Sequence, residues 1–441
     1  MLNELAGLTL YADTTGEAIF TKIAEICRDF ERGEDGAALR ARINRQVLRI
    51  LELGTLYGFD ENLWHDALSF HLITCENPFS LPCEGVGAKE GTVRRLVLRD
   101  IEIFMRLFRY DFAPLEKALG MDCFTLLTNY TAIPKRGQAY FREVSRAVRA
   151  LSRLIEASEG PEPVFEWLSE RYRTHGAGLF GLSRAFRVEA APEGVRFLPI
   201  RNLDAVRLSD LTGCQEQKAE MRRNVEAFLA GRPYNNMLLY GDAGTGKSTS
   251  VKALNNEYGD QGLRMIEINK HQFGLLNEVI ARVKHRACRF VIFLDDLSFE
   301  ENEVEYKYLK AVIEGGLESR PDNVMICATS NRRHLIRETW NDRSDMEFKG
   351  DVHRSDTMEE RLSLAARFGC AINFNAPTRS EYHDIVFDIA RREGIEMPED
   401  TLKLLANRWE IRHGGLSGRT ARQFVHMLAG EKEPAQGEAS E

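Results

Sequence analysis

One short stretch of the chain has the residue types and spacing of a polyphosphate-binding loop. The sequence GDAGTGKS at residues 241–248 fits the pattern G-x-x-x-x-G-K-[ST] in full, between an apolar run and an amphipathic one. Glycines permit backbone conformations closed to other residues, so successive N–H groups can point at a polyphosphate beside the positive end of a following helix. Lys247 would reach the β- and γ-phosphates, and the Ser248 hydroxyl would ligate Mg²⁺. The predicted nucleotide-contacting residues of this loop are Gly241, Asp242, Ala243, Gly244, Thr245, Gly246, Lys247, Ser248 and Thr249.

Acidic and amide side chains follow two further apolar runs. In RFVIFLDDLSFEE, Asp295 and Asp296 come directly after four apolar residues. Because doubly wound sheets bind ligands at the carboxyl ends of their strands, we expect Asp295 to hold Mg²⁺ through its water shell and Asp296 to orient or activate an attacking water. NVMICATSNRR ends in Asn331, whose amide could contact the γ-phosphate or the water, or equally cap a following helix. The alternative for the loop is a chance glycine-rich turn, and the alternative for Asp295 and Asp296 is a pair of solvated acids at a strand end. Both alternatives are disfavoured, because the loop and the acids occur together in one chain.

Alternating strands and helices must position these residues. Apolar strand patterns cover residues 237–240, 263–268, 290–294, 324–328 and 371–374. Helical patterns cover residues 247–258, 275–283, 304–318 and 358–364. This alternation predicts a parallel sheet between helices. After Pro377 helical patterns return at residues 380–393, 398–410 and 416–428, and the polar stretch 341–357 is predicted to be a long loop.

The part of the chain before this region has a different pattern. Up to about residue 180 it is predicted to be mainly helical, and one segment, YFREVSRAVRALSRLIEA, carries a clear apolar face. The residues of that face are Phe141, Val144, Val148, Leu151 and Ile155. Residues 77–91 are rich in Pro and Gly and predict a loop, whereas residues 185–200 alternate around a Pro-Glu-Gly turn and predict a hairpin.

Composition limits the class of protein. The 441 residues suffice for two or three domains, and a net charge of −8 argues against general coating of nucleic acid, though not against a local basic face. The eight cysteines lie singly, which favours reduced structural thiols. No apolar run approaches the roughly 20 residues that span a bilayer, and the N-terminus lacks the basic region of a signal peptide. We therefore expect a cytoplasmic protein without a membrane anchor.

The order of these motifs resembles that of AAA+ ATPases over about residues 204–428. GDAGTGKS is similar to a Walker A loop, VIFLDD to a Walker B strand and ATSN to sensor 1, while ARFG and GLSGRTARQF are similar to an arginine finger and a sensor 2 helix. DLTGCQEQK resembles the segment that packs on adenine, with Leu211 and Gly213 nearest. The core most resembles the bacterial family of predicted AAA+ ATPases known as domain of unknown function 815, a name that carries no substrate.

The resemblance implies a fold and a domain order. We expect an α/β P-loop NTPase core with a five-stranded parallel sheet of AAA+ type, a C-terminal helical lid and a preceding, mainly α-helical domain. The expected divisions are a helical partner or regulatory domain at 1–184, a hairpin or linker at 185–203, the nucleotide-binding domain at 204–376, the lid at 377–430 and a disordered acidic tail at 431–441. ATP and Mg²⁺ are the implied cofactors.

The resemblance also implies roles for arginines. Arg367 would be a finger that acts in trans on a neighbour's γ-phosphate, which requires an oligomer; Arg361 is the second choice and a surface ion pair the alternative. Arg419 would be sensor 2, with Arg422 as second choice and a solvated helical arginine as the alternative. The implied activity is ATP hydrolysis coupled to remodelling or loading of a macromolecular partner by a homo-oligomer.

One departure from the family pattern opens a second hypothesis. Most AAA+ hydrolases carry glutamate where this chain has Asp296, whose side chain is one methylene shorter; Glu300 and Glu301 could substitute. An ATP-gated binding switch with little hydrolysis is therefore the alternative function. A P-loop kinase is a third, disfavoured because a helical segment with arginines follows the sheet and no acceptor pocket is evident.

Three further features of the sequence each have two interpretations. Phe273 in NKHQFGLL could form an aromatic pore loop but is predicted to be a core residue. Four arginines on one helix form a basic stripe that could bind nucleic acid or an acidic protein, although a solvated face paired with Glu143 and Glu156 is favoured. These arginines are Arg142, Arg146, Arg149 and Arg153. His65 and His71 lack partners at metal-site spacing and are predicted to be packing or surface residues.

Overall fold

The computed structural model describes residues 1–13, 17–86, 91–132, 142–192, 194–299, 305–314, 321–331 and 365–431. Several sequence predictions lie outside these ranges: Phe141, Glu300, Glu301 and Arg361, the loop at 341–357, the helix at 358–364 and almost all of the acidic tail. The chain forms two compact units. The first comprises Met1–Arg184, Pro199–Leu203 and Arg286–Cys288, and the second comprises Ala185–Leu198, Asp204–His285 and Arg289–Glu441.

The first unit is built from helices around an apolar core. Its helices are α1 (Leu2–Leu5), α2 (Ile19–Glu31), α3 (Gly36–Tyr57), α4 (Leu63–Thr74), α5 (Ser80–Val86), α6 (Thr92–Phe108), α7 (Ala113–Leu119), α8 (Cys123–Thr128), α9 (Arg142–Ala157) and α10 (Glu162–His175), followed by a 3-10 turn at Gly178–Gly181. The predicted apolar face of α9 is confirmed, since Val144, Val148, Leu151 and Ile155 are all buried. The regular helical spacing of these apolar residues therefore predicted correctly which of them are buried.

The prediction of a loop at residues 77–91 was wrong in part, because α5 occupies its first half. The Asn77 side-chain oxygen accepts hydrogen bonds from the backbone N–H groups of Phe79 and Ser80, each at 2.9 Å. Pro82 falls in the first turn, where a missing N–H costs nothing. Burial of Phe79 and Cys83 then anchors the helix to the core. Pro82 therefore lies at the start of a helix and not in a loop.

The second unit contains a sheet of seven strands within the described residues. They are β1 (Ala185–Ala191), β2 (Gly194–Pro199), β3 (Met237–Gly241), β4 (Leu263–Glu267), β5 (Arg289–Leu294), β6 (Val324–Ser330) and β7 (Cys370–Phe374). Their order is β2-β1-β4-β5-β6-β3-β7, and every neighbouring pair from β1 to β7 is parallel. All five predicted strands are present and adjacent, and β6 separates β3 from β5.

The predicted number of five strands was therefore too low. The hairpin that the alternating pattern predicts is present as β1 and β2, but it extends the sheet instead of standing apart. β1 pairs with β4 in parallel, with Phe186 opposite Ile266. Phe186, Val188 and Val195 are buried. Alternation in a sequence specifies which face of a strand is buried but not which strand lies beside it.

Helices cover the sheet and form a separate bundle after it. They are α11 (Gln215–Leu229), α12 (Lys247–Tyr258), α13 (Leu276–Val283), α14 (Glu305–Glu314), α15 (Arg379–Arg392), α16 (Glu399–Arg412) and α17 (Gly418–Glu431), with 3-10 turns at Leu208–Asp210, Gly259–Gln261 and Lys270–Leu275. We call α15 to α17 the C-terminal bundle. Its helices pack around their own core, in which Tyr382, Val386 and Phe424 are buried.

Two general expectations can be compared with the described residues. All eight cysteines are free thiols, and five of them, including Cys327 and Cys370, are buried. The eight cysteines are therefore present as thiols, as the sequence predicts. Among the helices of the described ranges, none combines the length and the apolar character needed to cross a bilayer.

Candidate nucleotide-binding site

The glycines of the loop at 241–248 are required by its geometry. Gly241, Gly244 and Gly246 all have φ in the left-handed region, at 131°, 77° and 94°. A Cβ on Gly241 would lie 2.2 Å from the backbone oxygen of Phe374 on the neighbouring strand. A Cβ on Gly246 would meet nothing within 4 Å, so this side of the loop faces open space. The loop thus forms a cradle at the start of α12, whose N-terminal amides favour an anion.

Lys247, the first residue of α12, is folded against the cradle. Its side chain is largely buried, and Nζ donates hydrogen bonds to the backbone oxygens of Gly241 at 3.0 Å and Asp242 at 2.6 Å. Burial lowers the pKa of the lysine, while the carboxylates of Asp242 and Asp296 act in the opposite direction. An ammonium held by two loop carbonyls can exchange them for phosphate oxygens without leaving the loop.

Asp242 connects the cradle to the end of β7 and to the segment that follows it. Its backbone N–H donates to the oxygen of Phe374 at 3.1 Å, and its carboxylate accepts from the N–H of Ala376 at 2.8 Å. Its side chain is therefore engaged away from the open side of the loop. Asp242 shapes the cradle rather than lining it.

A pair of oxygen ligands meets beside the cradle. The Ser248 hydroxyl donates to Oδ1 of Asp295 at 2.5 Å, which brings the residue after the lysine to the carboxyl end of β5. Mg²⁺ in phosphate sites is commonly held by one or two protein oxygens together with phosphate oxygens and water. The donor set fits such an ion. In the described ranges no group of three or more His, Cys, Asp or Glu residues could hold a metal ion.

Asp296 and Asn331 also meet. Asp296 has φ of 52°, in the left-handed region that non-glycine residues rarely occupy, and Nδ2 of Asn331 donates to its Oδ1 at 2.8 Å. The predicted pair of strand-end residues is therefore in direct contact. The alternative role of Asn331 as a helix cap concerns residues outside the described ranges.

Thr329 belongs to the same site and was missed in the sequence. Its hydroxyl donates to Oδ1 of Asp295 at 2.6 Å and accepts from the backbone N–H of Asp296 at 3.0 Å. Thr329 lies two residues before Asn331, and residues at that spacing on a strand share a face. The same alternation along β6 could have identified it.

These residues surround one cavity of about 1280 Å³ within the second unit. Of the predicted site residues, those that line it are Leu211, Gly213, Ala243, Gly244, Thr245, Gly246, Lys247, Ser248, Thr249, Asp295, Asp296, Asn331 and Arg419. Gly241, Asp242 and Arg367 do not. Ile385 and Ile389 of α15 add an apolar wall that sequence reasoning did not identify, although their spacing of four on a predicted helix was the available signal.

The segment at the apolar end of the cavity is fastened to α15. The Thr212 hydroxyl donates to Oδ2 of Asp388 at 2.5 Å, and Arg392 donates both to that carboxylate and to the backbone oxygen of Asp210. Nζ of the buried Lys218 donates to the backbone oxygen of Leu211. These bonds hold the segment that contains Leu211 and Gly213, both of which line the cavity, beside α15.

Arg419 begins the last helix of the bundle directly against the cradle. Its backbone N–H donates to the oxygen of Gly244 at 3.2 Å, and a Cβ on Gly244 would come within 3.0 Å of the Ser417 hydroxyl. The pKa of Lys247 is lowered mainly by burial and, to a smaller extent, by the Arg419 cation. Its charge is thus placed to act on a phosphate bound at Lys247. Arg422, the second choice, also lines the cavity.

Arg367 lies at the other end of the sheet. It sits in the turn three residues before Cys370, where β7 begins opposite Met237, whereas Gly241 is opposite Phe374 at the carboxyl end. Four residue steps of about 3.3 Å separate these ends by about 13 Å. Arg367 is therefore far from the cradle of its own chain, and the structure does not bring it together with the other predicted residues.

Features of the sequence outside the cavity have ordinary packing roles. Phe273 is 2% exposed and packs against Phe299, with ring centroids 6.2 Å apart, so the prediction of a core residue is confirmed. His65 binds Glu156 and the backbone oxygen of Phe108, at 2.5 and 2.8 Å. Nε2 of His71 contacts the backbone oxygen of Tyr11 at 3.0 Å, and burial lowers the pKa of this histidine.

Two charged residues of α9, Arg153 and Glu143, pair with residues outside that helix. Arg153 bonds Glu61 at 3.1 Å, and Glu143, predicted to pair within the stripe, instead bonds Arg184 at 2.5 Å.

On the buried side of α9, Asp66 is 3% exposed and accepts a hydrogen bond from the Ser152 hydroxyl at 2.7 Å. Burial raises the pKa of Asp66 to about 6, against the effect of that hydrogen bond.

Comparison with known proteins places the chain in a family. Residues 182–432, more than half of the chain, match the family described as protein of unknown function (DUF815). No curated protein matches the chain.

Several solved structures resemble about half of the chain at low identity. RuvB of Thermotoga maritima, described as a Holliday junction branch migration motor, is 15% identical over 50% of this chain and 63% of its own, with a TM-score of 0.35. The AAA domain of FIGL-1 in complex with ADP is 16% identical over 52% and 74%, with a TM-score of 0.36. A DNA replication initiation factor is 16% identical over 50% and 63%, with a TM-score of 0.34. Likenesses this distant say nothing of activity. The family match covers the whole cradle and its strand-end residues, and the chain belongs to the DUF815 family.

Proposed function

We propose that this protein is a cytoplasmic AAA+ ATPase that binds Mg-ATP and couples hydrolysis to a conformational change that remodels or loads a macromolecular partner. The observation that carries the proposal is the convergence at one end of the sheet. There a glycine cradle, Lys247, the Ser248–Asp295 pair and the Asp296–Asn331 pair line one cavity.

Each part of the cavity has a task in nucleotide binding. The cradle amides and Lys247 bind the β- and γ-phosphates, while Leu211 and the isoleucines of α15 form the apolar end that suits a base. Ser248 and Asp295 would hold Mg²⁺, which neutralises charge on the phosphates and on the transferring group. Arg419 adds a second cation beside Lys247.

Hydrolysis requires a residue that positions water opposite the γ-phosphate. Asp296 is the candidate, since its carboxylate lines the cavity one residue after the metal-binding Asp295. The amide of Asn331 fixes one carboxylate oxygen at 2.8 Å and leaves the other for water. Because aspartate reaches less far than glutamate, we expect slow turnover.

The proposal includes an oligomer. Arg367 precedes β7, and the cradle lies at the far end of that strand, about 13 Å away, so a guanidinium contact with a γ-phosphate would have to come from a neighbouring subunit. Such a contact can contribute about 10³–10⁵ in rate. The helical first unit is proposed to recruit the partner, a protein or nucleic acid.

An ATP-gated switch with little hydrolysis is the second candidate. It is favoured by one observation, the short Asp296 side chain already bonded to Asn331. In that case nucleotide binding alone would set the position of the C-terminal bundle, which touches the cradle through Arg419.

Calorimetric ATP titration combined with turnover at increasing protein concentration separates these functions. A rate per subunit that rises steeply with concentration supports the oligomeric ATPase. Tight binding with turnover indistinguishable from that of Asp296→Asn supports the switch. Phosphate transferred to an acceptor supports a kinase, and absence of ATP binding refutes all three.

A further inference from the structure

We propose that Thr329 is a positioning residue that sets the direction of both strand-end carboxylates, Asp295 toward the metal ion and Asp296 toward the attacking water. The inference rests on the proposed function and deepens it, because it assigns a role within the same site to a residue of the ATSN stretch other than Asn331. It is carried by hydrogen bonds between the ends of β5 and β6.

Thr329 contacts three successive residues with two of its groups. Its hydroxyl donates to Oδ1 of Asp295 at 2.6 Å and accepts from the N–H of Asp296 at 3.0 Å. Its backbone oxygen accepts from the N–H of Leu297 at 2.6 Å. Thr329 is only 1% exposed, whereas Asp295 and Asp296 are exposed, so the buried residue holds two exposed ones. One residue thus fixes the whole turn that follows β5.

The contact with Asp295 supports a metal-binding orientation. Oδ1 of Asp295 accepts from two hydroxyls, that of Ser248 and that of Thr329. Ser248 would turn its oxygen toward a bound ion, whereas the buried Thr329 in β6 would keep its bond to the carboxylate. Outer hydrogen bonds of this kind orient ligating carboxylates, and their loss typically weakens metal binding by about 10- to 100-fold.

The contact with Asp296 supports an uncommon backbone conformation. Asp296 has φ of 52°, and conformations of this kind persist only when surrounding contacts hold them. The Thr329 hydroxyl holds the N–H of Asp296 on one side, and its carbonyl holds the next N–H on the other. This conformation directs the short Asp296 side chain to the amide of Asn331. Without the hydroxyl, the carboxylate would no longer be fixed.

The chemistry of threonine suits this position. A hydroxyl is one donor and two acceptors, so it can serve a carboxylate and an N–H at once. The β-branch restricts χ1 and so aims the hydroxyl. Valine has nearly the same shape but neither function, and serine keeps both functions with a freer side chain.

The test compares Thr329→Val and Thr329→Ser with wild type, using Cys327→Ala as a matched control. Cys327 is fully buried on the same strand and the same face, two residues earlier. Calorimetry would measure binding of a non-hydrolysable ATP analogue at increasing Mg²⁺ concentration. Hydrogen exchange would follow the amides of Asp296 and Leu297.

We expect Thr329→Val to raise the Mg²⁺ concentration for half-maximal binding by about 10- to 100-fold and to speed exchange of both amides. Thr329→Ser should stay within about threefold of wild type, because its hydroxyl can make the same bonds. Cys327→Ala should leave the Mg²⁺ dependence unchanged even where it lowers the melting temperature. If the valine variant does not fold, Thr329→Ala removes the same hydroxyl with less crowding.

Two outcomes contradict the inference in different ways. Wild-type Mg²⁺ dependence and slow amide exchange in a folded variant that lacks the hydroxyl would show that Thr329 only packs, while the proposed ATPase function stands. A wild-type protein that does not bind the analogue at any Mg²⁺ concentration overturns the proposed function and this inference together.

Discussion

Replacing Arg419 by alanine should weaken binding of ATP far more than replacing Arg422. Both arginines lie on α17 and line the cavity, three residues apart. They differ in their relation to the cradle. The N–H of Arg419 donates to the oxygen of Gly244, and its cation acts on Lys247, whose pKa is lowered mainly by burial and further by this charge. Arg419 is thus attached to the cradle through its backbone, and we expect its cation to contact a phosphate bound at Lys247.

The magnitude follows from the kind of contact. A hydrogen bond from a guanidinium to a phosphate oxygen is charge-assisted, and losing one costs about 1.5–3 kcal/mol. That range corresponds to about 10- to 150-fold in affinity. Arg422, one turn further along the helix, should behave as an exposed cation and contribute about 1 kcal/mol or less. The loss for Arg419→Ala should be larger for ATP than for ADP, because a sensor of the γ-phosphate has no contact in ADP.

The assay is calorimetric titration of both variants with Mg-ATP and Mg-ADP, with melting temperatures recorded to confirm folding. The reasoning is refuted if Arg419→Ala binds ATP as wild type does, or if Arg422→Ala loses more affinity than Arg419→Ala. An equal loss for ATP and ADP would contradict contact with the γ-phosphate.

Three other predictions follow from the described contacts. Burial raises the pKa of Asp66 to about 6, above the roughly 3.9 of an unfolded chain. The contribution of Asp66 to the free energy of unfolding is therefore fully present below pH 4 and should fall by about 3 kcal/mol as the pH rises through 6. In urea unfolding at pH 4 and pH 8, Asp66→Asn should remove this fall, and an unchanged pH dependence would contradict the cause. Mixing Arg367→Ala with Asp296→Asn subunits should restore part of the ATPase activity that each lacks alone; no recovery at any ratio argues against a trans arginine. Gly241→Ala should destabilise the protein by more than about 3 kcal/mol, because its Cβ would lie 2.2 Å from a backbone oxygen, whereas Gly246→Ala should cost about 1–2 kcal/mol for φ alone; equal losses in thermal unfolding would contradict this.

The parts of the site that sequence predicts well are local in the chain. The glycines of the cradle need conformations that few other residues adopt, so their spacing alone predicts a loop of this shape. Asp295 and Asp296 follow a fully buried strand, and the carboxyl ends of parallel strands meet at one edge. The contact of Ser248 with Asp295 could therefore be predicted from two short stretches 47 residues apart.

The parts that sequence did not predict depend on which strands are neighbours. Thr329 reaches Asp295 because β6 pairs with β5, and no single stretch specifies that pairing. The same applies to β1, whose alternation predicts a strand but not its place beside β4. α5 was missed for a different reason. Its start depends on the side chain of Asn77, and proline is common both in loops and in the first turn of a helix.

The most direct test of the proposed function is ATP affinity in a Lys247→Ala variant. Lys252, on the same helix, offers a matched control because its ammonium lies 4.0 Å from Glu267 rather than on the loop carbonyls. Calorimetry should show at least about a 100-fold loss of ATP affinity for Lys247→Ala and little change for Lys252→Ala. Wild-type affinity in a folded Lys247→Ala protein would show that no triphosphate lies against this loop.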